Sequence, residues 1–383
     1  FHGDKTVSGD LILLGKKITK PEKNGVNIVL TIDSGVQAHL EQIINDVYKT
    51  YSAKSAGGLI IQPKTGKILA LASIPSYDPN AYSKEKDIAI FKNPIVESLF
   101  EMGSVIKPLT LAAALDAGAI TTTDTYVDTG KRMIDGKTIE NYDGKARGRV
   151  QIQEILSQSL NLGAVHVMET LGKEKFRSYM QAYEIDERTG IDLPNEAVGN
   201  LKNLASTRLI EYATASFGQG ISMTFLELAR ALSSLANGGF LVNPYLVEEL
   251  RYDDGTIIAK KQGEPKQILK QETSKTITRM LVEVVDTKLA GGKGKIPGYA
   301  VAAKTGTAQI ALSGSRGYST DFMHTFFGYA PAYDPQFLVV LYVERPQGIR
   351  YASESLTEPF RLIAQHLFSY YEVPPDRPQE LAR

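Results

Sequence analysis

The spacing of apolar residues predicts helices and strands that do not alternate one by one along the chain. Helices are predicted where apolar positions recur every three or four residues: after Asp33 or Ser34 as N-cap, and at 104–118, 150–171 with an interruption at 159–163, 224–237, 273–289 and 354–370. Strand-type apolar runs occupy 58–61 and 67–72, joined by a Pro/Gly turn, and later 299–310, 325–330 and 337–343. An early hairpin, a helical middle and late strands indicate an α+β fold, with an antiparallel sheet built from both ends of the domain.

Local capping signals support several of these boundaries. Thr224 and Glu227 have the spacing of a capping box at the start of the helix at 224–237, and Gly238 supplies its stop. Turns are predicted at 313–315 and 333–335 between the late strands.

The two ends of the chain differ from the segment between them. Residues 1–30 contain short extended pieces and turns, with too little apolar surface for a core, and are predicted to be an N-terminal connector. Residues 31–371 form one predicted domain, and the Pro-rich residues 372–383 are predicted to be a mobile tail. Because the chain begins with Phe1 rather than Met, we expect it to be an interior piece of a longer protein.

Composition excludes several classes of chemistry. The 383 residues contain no Cys and five His, which excludes thiolate catalysis, iron–sulfur clusters and disulfide scaffolds and argues against a zinc site. Lys plus Arg and Asp plus Glu number 43 each, and there is no long basic run, so charge gives no indication of nucleic-acid binding. No stretch approaches the roughly 20 apolar residues that span a bilayer.

The first candidate for chemistry is Ser104 with Lys107. Pro108 is tolerated only in the first turn of a helix, so it places the helix start close to Ser104. Lys107 lies one turn along, and the apolar helix that follows would desolvate its amine, lower its pKa and allow it to act as a base on the serine. Because S-x-x-K also arises by chance, the copy at Ser83 to Lys86, which lies in a charged run, is assigned to solvated surface.

The second candidate is Ser159 with Asn161, where two helical segments meet. Ser and Asn at such a junction are more often helix caps than catalysts, and in isolation that interpretation is favoured. The same two side chains could instead project from one loop into a cleft, as a proton relay and a hydrogen-bond partner of a substrate.

The third candidate is the run Lys304, Thr305, Gly306 and Thr307. Small residues on both sides predict a strand whose backbone another group approaches closely. The same tripeptide at Lys64 to Gly66 follows a proline and precedes a strand, so it is predicted to be a hairpin turn in which glycine supplies a positive φ. Other templates fail: there is no G-x-S-x-G, and the segment at 136–138 lacks the first glycine of a phosphate-binding loop.

In this order, S-x-x-K, S-x-N and K-T-G are the motif set of penicillin-binding proteins and serine β-lactamases. The surrounding segments at 30–37, 100–104, 218–224 and 326–331 make the chain resemble the monofunctional class B penicillin-binding proteins, in particular the division-type enzymes. The resemblance covers about residues 5 to 370. One departure is Met102, where the family usually has proline.

That resemblance implies a five-stranded antiparallel sheet flanked by helices and D,D-transpeptidation of peptidoglycan stem peptides. Ser104 would be the nucleophile, Lys107 its base, Ser159 the proton relay and Asn161 a substrate contact. Lys304 and Thr305 would bind the substrate carboxylate next to Gly306, and the backbone N–H groups of Ser104 and Thr307 would form the oxyanion hole. No metal or organic cofactor is implied, and β-lactams would acylate Ser104.

The resemblance also implies a cellular setting. The expected partners are peptidoglycan stem peptides or their lipid-linked precursor, a membrane glycan polymerase and proteins of the division or elongation machinery, without nucleic acid. The expected location is the extracytoplasmic face of the bacterial inner membrane, with an N-terminal anchor helix outside this chain. A β-lactamase and a β-lactam-sensing domain remain as alternatives, since they share the motifs. The chain has no Glu-x-x-Leu-Asn segment of the class A β-lactamases, and Asn161 stands where class D enzymes usually have valine.

Overall fold

The computed structural model describes residues 25–312 and 317–381. Most of the predicted connector, residues 1–24, and the predicted turn at 313–315 lie outside the described residues. By its internal contacts the chain divides into two units, one of Phe1–Leu30 with Val247–Lys261 and one of Thr31–Leu246 with Gln262–Arg383.

The helices and strands of the described residues are numbered in chain order. The α-helices are α1 (Ser34–Thr50), α2 (Pro94–Glu97), α3 (Lys107–Asp116), α4 (Gln153–Ser157), α5 (Asn161–Leu171), α6 (Lys173–Ala182), α7 (Leu209–Ala215), α8 (Phe225–Ala236), α9 (Gln271–Thr287), α10 (Ala352–Ser355) and α11 (Thr357–Tyr370). The β-strands are β1 (Asn27–Leu30), β2 (Ser55–Ile61), β3 (Ile68–Ile74), β4 (Thr125–Asp128), β5 (Lys131–Ile134), β6 (Lys137–Glu140), β7 (Gly148–Gln151), β8 (Phe240–Leu241), β9 (Val247–Arg251), β10 (Ile257–Ala259), β11 (Lys266–Gln267), β12 (Ala302–Ala311), β13 (Tyr318–Ala330) and β14 (Phe337–Glu344).

The larger unit is built on a five-stranded sheet in the order β12-β13-β14-β2-β3, with every neighbouring pair antiparallel. The predicted α+β class and the sheet assembled from both ends of the domain are confirmed. All eight residues of β14 are buried, because helices cover both faces of the sheet and leave no polar side for this central strand. This is why the run at 337–343 contains no polar alternation.

Alternate residues of β13 identify the two faces. Phe326 stacks on Phe360 of α11 with ring centroids 4.8 Å apart, which places α11 on one face. On the other face, the Tyr329 hydroxyl lies 2.9 Å from Thr278 Oγ1 of α9, and the Thr325 hydroxyl donates to the Met102 carbonyl at 3.0 Å. The second face therefore carries the segment that precedes Ser104.

The predicted helix boundaries agree with the structure at most ends. Asp33 is the N-cap of α1 and accepts from the N–H groups of Gly35 and Val36, and Thr224 and Glu227 form the predicted capping box of α8. The helix predicted from residue 150 was wrong at its start, since Val150 pairs with Tyr126 in the β4–β7 ladder. The predicted interruption separates α4 from α5.

The smaller unit contains a three-stranded antiparallel sheet in the order β1-β9-β10. Ile28 pairs with Leu250, which pairs in turn with Ile258. The described end of the predicted connector therefore finds its strand partners at 247–261, and the boundary between residues 30 and 31 stays a prediction.

The C-terminal segment makes specific contacts. The Arg377 guanidinium donates to Asp286 at 2.9 Å, and Asp376 Oδ1 accepts the backbone N–H of Ala300 at 2.8 Å. The mobility of residues 372–383 stays a prediction. Among the described residues, no helix is both long enough and apolar enough to cross a membrane.

Candidate active site

Ser104 lies in a tight helical turn that leads directly into α3. The turn is a 3₁₀ segment, Gly103–Ile106, and the backbone N–H of Lys107 donates to the Ser104 carbonyl where the two helices join. Pro108 occupies the first turn of α3, as its missing N–H requires. Gly103 has a φ of +64°, a conformation that glycine adopts at little cost. The predicted helix start close to Ser104 is confirmed.

Lys107 is completely buried, with no exposed surface. Its ammonium nitrogen donates to the Ser159 carbonyl at 2.6 Å, to Asn161 Oδ1 at 2.8 Å and to Ser159 Oγ at 3.3 Å. Burial, aided by the positive charge of Lys304, holds the pKa of Lys107 well below its usual range. Within the described residues, no hydrogen bond joins Lys107 to the Ser104 hydroxyl, so the direct contact anticipated from S-x-x-K is not formed.

Lys304, on β12, contacts Ser159, the serine that Lys107 also contacts. Its ammonium nitrogen lies 3.1 Å from Ser159 Oγ and 3.2 Å from the Thr305 carbonyl, and the residue is 3% exposed. Burial lowers the pKa of Lys304 to about 8. Two buried lysines from separate elements therefore converge on one hydroxyl, which can exchange protons with either amine.

Ser159 lies between α4 and α5 in an unusual backbone conformation. Its φ is +56°, in the left-handed region that residues other than glycine rarely adopt. The cap interpretation of this segment is not supported: the N-cap of α5 is Leu160, and Asn161, the first helical residue, turns its side-chain oxygen to Lys107. Strain of this kind is concentrated at functional sites.

Gly306 allows β12 to pass close to the turn that carries Ser104. A Cβ at this position would lie 2.3 Å from Thr325 Oγ1 and 2.7 Å from the Met102 carbonyl oxygen. Real Cβ atoms do not approach other atoms so closely, so any side chain here would displace the turn. The predicted close approach to the strand is therefore made by the backbone of Met102, two residues before Ser104.

Thr305 and Thr307 lie on β12 with their side chains on the other face of the sheet. Thr305 is paired with Phe326 and Thr307 with His324, and directly opposed residues share a face. The Thr307 hydroxyl accepts the backbone N–H of Ala352 at 3.1 Å, at the start of α10. The structure thus brings the side chains of Lys107, Ser159, Asn161 and Lys304 together, with Ser104 one helical turn before Lys107. The two threonines face the site only through their backbone.

The second copies of S-x-x-K and K-T-G lie outside the candidate site. Ser83 is exposed in a short 3₁₀ helix, Pro79–Lys84, none of whose residues is buried. Gly66 has a φ of +84° in the turn between β2 and β3, and Lys64 pairs on the surface with Asp334. Both predictions that assigned these copies to surface and turn are confirmed.

The sequence did not reveal a second set of polar residues behind the site. Asp128 and Asn141 are both 1% exposed, and Asn141 bonds to the start of α5. Glu101 accepts the Tyr318 hydroxyl at 2.9 Å, and burial raises the pKa of Glu101. Asp128 ends the short strand β4 and Asn141 follows the short strand β6, both without a motif, so only their burial could have identified them.

The arrangement suits acyl transfer through a serine. It supplies a hydroxyl at the start of a helix, a buried amine with a lowered pKa one turn away, and a second serine between two amines. Among the residues that the structure describes, no group of three or more His, Asp or Glu is placed to hold a metal ion.

Comparisons with known proteins agree with this geometry. The model of the penicillin-binding protein transpeptidase domain matches residues 56–366. Stage V sporulation protein D of Bacillus subtilis (strain 168) is 35% identical over 332 residues, which cover 86% of this chain and 51% of that protein. The peptidoglycan D,D-transpeptidase FtsI homolog of Mesostigma viride is 31% identical over 382 residues, which cover 93% of this chain and 64% of that protein. The chain spans about half to two thirds of the length of these relatives.

Solved structures share the fold. Penicillin-binding protein 3 of Mycobacterium tuberculosis in its apo form has a TM-score of 0.87 and 25% identity, over 97% of this chain and 88% of that chain. Its ampicillin complex has a TM-score of 0.86 and 25% identity, over 94% of this chain and 81% of that chain. With a family model that matches most of its length, the chain belongs to the penicillin-binding protein transpeptidase family.

Proposed function

We propose that this chain is the catalytic part of a peptidoglycan D,D-transpeptidase that β-lactams acylate. The observation that carries the proposal is the convergence of two buried lysines on Ser159, beside the helical turn that carries Ser104 and leads into α3. Support comes from relatives named as peptidoglycan D,D-transpeptidases and from a solved relative in complex with ampicillin.

In the proposed first step, Ser104 Oγ attacks the carbonyl between the two terminal D-alanines of a stem peptide. Lys107 takes the serine proton as a general base, because its lowered pKa makes the neutral amine accessible. The backbone N–H groups of Ser104 and Thr307 stabilise the oxyanion that forms. Gly103 lies against the Thr307 backbone, which supports this pairing of donors.

The leaving group then needs a proton. Ser159, bonded to both lysines, relays that proton to the departing D-alanine amine, and the C–N bond breaks to leave an ester on Ser104. Asn161 holds the substrate amide. Lys304, with the backbone of Thr305, binds the terminal carboxylate of the substrate.

An amine from a neighbouring stem peptide completes the cross-link by attacking the ester and releasing Ser104. The acyl-enzyme must persist until this amine arrives. A β-lactam in place of the stem peptide therefore leaves a penicilloyl ester on Ser104 that persists for many minutes.

The relatives' names also bear on the cellular role. We propose that the enzyme works on the cell wall at the extracytoplasmic face of the membrane, held by an anchor outside this chain. We also propose a role in division, with a glycan polymerase and division proteins as partners. Relatives named for FtsI and for sporulation support the division role.

The deciding experiment is intact-mass measurement after exposure to penicillin, followed by peptide mapping. We expect one adduct per chain, on Ser104, and a loss of acylation of about 10²- to 10⁴-fold in Lys107→Ala with folding retained. An adduct on Ser83 or Ser159, or unchanged acylation in the lysine variant, would contradict the assignment. Rapid multiple turnover of a chromogenic β-lactam without an adduct would identify a β-lactamase instead.

A further inference from the structure

Helix α5 begins at Asn161 with an apolar residue at its N-cap, and a distant side chain caps it. Leu160 makes no side-chain cap. Asn141 Oδ1 instead accepts the backbone N–H of Asn161 at 3.0 Å and that of Leu162 at 3.3 Å. These are N–H groups that the helix itself cannot satisfy. One side-chain amide, contributed by the residue after β6, therefore holds the start of α5.

A buried carboxylate fixes the orientation of that amide. Asn141 Nδ2 donates to both carboxylate oxygens of Asp128, each at 2.9 Å. An amide whose NH₂ group is held in this way must direct its oxygen to the opposite side, which here is the start of α5. The carboxylate is itself held, because the backbone N–H of Arg147 donates to Asp128 Oδ2 at 2.9 Å.

Asn161 transmits this arrangement to the active site. Its Nδ2 donates to the Glu140 carbonyl at 2.9 Å, so its side chain and its backbone are both fixed by the end of β6. Its Oδ1 then accepts the ammonium of Lys107 at 2.8 Å. A shift of Asn141 would move the acceptor of Lys107.

We propose that Asp128 and Asn141 form a positioning pair, in which Asp128 orients Asn141 and Asn141 sets the place of Asn161 and Lys107. The proposal rests on the proposed function, since it takes Lys107 as the base for Ser104. Both residues act through Asn161 and are positioning residues.

The test exchanges the two side chains. Asp128→Asn weakens the hold on the amide, and we expect acylation by a fluorescent penicillin to slow by about 10-fold. Asn141→Asp places two carboxylates together in a buried site, and we expect a loss of about 100-fold. The double exchange restores one amide and one carboxylate, with Asp at 141 as the cap, and should return the rate to within about 10-fold of the unsubstituted chain.

The pH profile separates positioning from simple stability. Asn161 Oδ1 accepts a hydrogen bond from the charged form of Lys107 and so stabilises it. Weakening that hydrogen bond therefore lowers the pKa of Lys107 further. The acid limb of the acylation rate should therefore move to lower pH in Asp128→Asn. The other groups that face Lys107, Lys304 and Ser159, are unchanged in this variant.

Asp116 provides a matched control. It is a buried carboxylate that accepts the backbone N–H of Lys270 at 2.6 Å and the hydroxyl of Thr273 at 2.8 Å, and so steadies the start of α9. It lies at the far end of α3, about 13.5 Å along the helix from Lys107. Asp116→Asn should lower the Tm without moving the acid limb.

The outcomes are distinct. If Asp128→Asn has the same acylation rate and pH profile as the unsubstituted chain, the positioning pair is overturned while the proposed function stays intact. A double exchange that is acylated no faster than Asn141→Asp would likewise overturn the positioning pair. If Asn141→Asp does not fold, the acylation rate and pH profile of Asp128→Asn decide the question alone. Absence of a Ser104 adduct in the unsubstituted chain would overturn the proposed function and, with it, this inference.

Discussion

At the scale of single residues, identical side chains behave differently because their surroundings differ. Lys304 is buried beside Ser159, whereas Lys64, in the same tripeptide, is exposed and paired with Asp334. Burial lowers the pKa of Lys304 to about 8, so this lysine loses its charge within the range in which proteins remain folded.

Lys304 gives a prediction about pH. In the proposed mechanism its cationic form binds the carboxylate of a β-lactam, and this form declines as the pH rises through about 8. The second-order rate constant of acylation should therefore fall above that pH. In Lys304→Arg the decline should move to higher pH, since a guanidinium stays protonated. Stopped-flow acylation between pH 6 and about 10 measures both profiles.

The duplicated tripeptide provides the control. Lys304→Ala should slow acylation by about 10- to 100-fold, the size expected for a lost charge-assisted hydrogen bond. Lys64→Ala should acylate at the unsubstituted rate. If both variants slow equally, the assignment of Lys304 to the carboxylate is wrong.

At the scale of elements, β12 and the turn that carries Ser104 are in contact at Gly306. Their separation is fixed by the absence of a side chain on this glycine, with Thr325 on the neighbouring strand holding the Met102 carbonyl. Ser104, the proposed nucleophile, is thus positioned by a strand and not only by its own helix.

Gly306→Ala should displace the turn. The added methyl would overlap Thr325 Oγ1 and the Met102 carbonyl, which we expect to cost about 1–3 kcal/mol of stability and to slow acylation by about 100-fold. Gly25→Ala is the matched control, because a Cβ added at that residue would meet no atom of the described residues within 4 Å. Penicillin acylation rates and denaturant midpoints of the two variants test this; equal acylation rates would show that the contact is unimportant.

The predictability of these elements depended on burial. The apolar run at 337–343 matched β14 closely, and Pro108 placed the start of α3, because a buried strand and a helix-start proline leave strong signals. The strands β4 to β7 were missed, since each has four residues and most of their side chains face solvent. Asn141 follows one of them, so its contact with α5 depends on packing that no local pattern records.

At the scale of the whole molecule, the two ends of the larger unit meet on one face of the sheet. Asp33, the N-cap of α1, also accepts the hydroxyls of Tyr370 at 3.0 Å and Tyr371 at 3.2 Å, at the end of α11. Between the same helices, His39 and His366 stack with ring centroids 4.0 Å apart. The first and last helices of this unit are therefore joined.

Asp33→Ala should destabilise this unit by about 1–2 kcal/mol, through loss of a helix cap and two tyrosine bonds. Partial burial would raise the pKa of Asp33, but the hydrogen bonds from Val36, Tyr370 and Gly35 outweigh it and lower the pKa. The contribution is therefore present above about pH 3.9, the ordinary Asp value, and is lost as the pH falls through the lower folded-state value.

Urea unfolding at pH 7 and pH 3 measures this contribution. Asp46, an exposed residue of the same helix, is the comparison, and Asp46→Ala should change stability by less than about 0.5 kcal/mol. A loss in Asp33→Ala that is equally large at both pH values would contradict the linkage.

The left-handed backbone of Ser159 sets a limit on how this enzyme can be made more robust. Glycine is the residue that relieves such a conformation, so methods that look for stabilising substitutions would favour it here. The hydroxyl shared by the two lysines would then be lost. Under the proposed mechanism, thermostability and turnover therefore make opposing demands on one residue. A more stable variant of this enzyme then has to obtain its stability from positions outside the junction of α4 and α5.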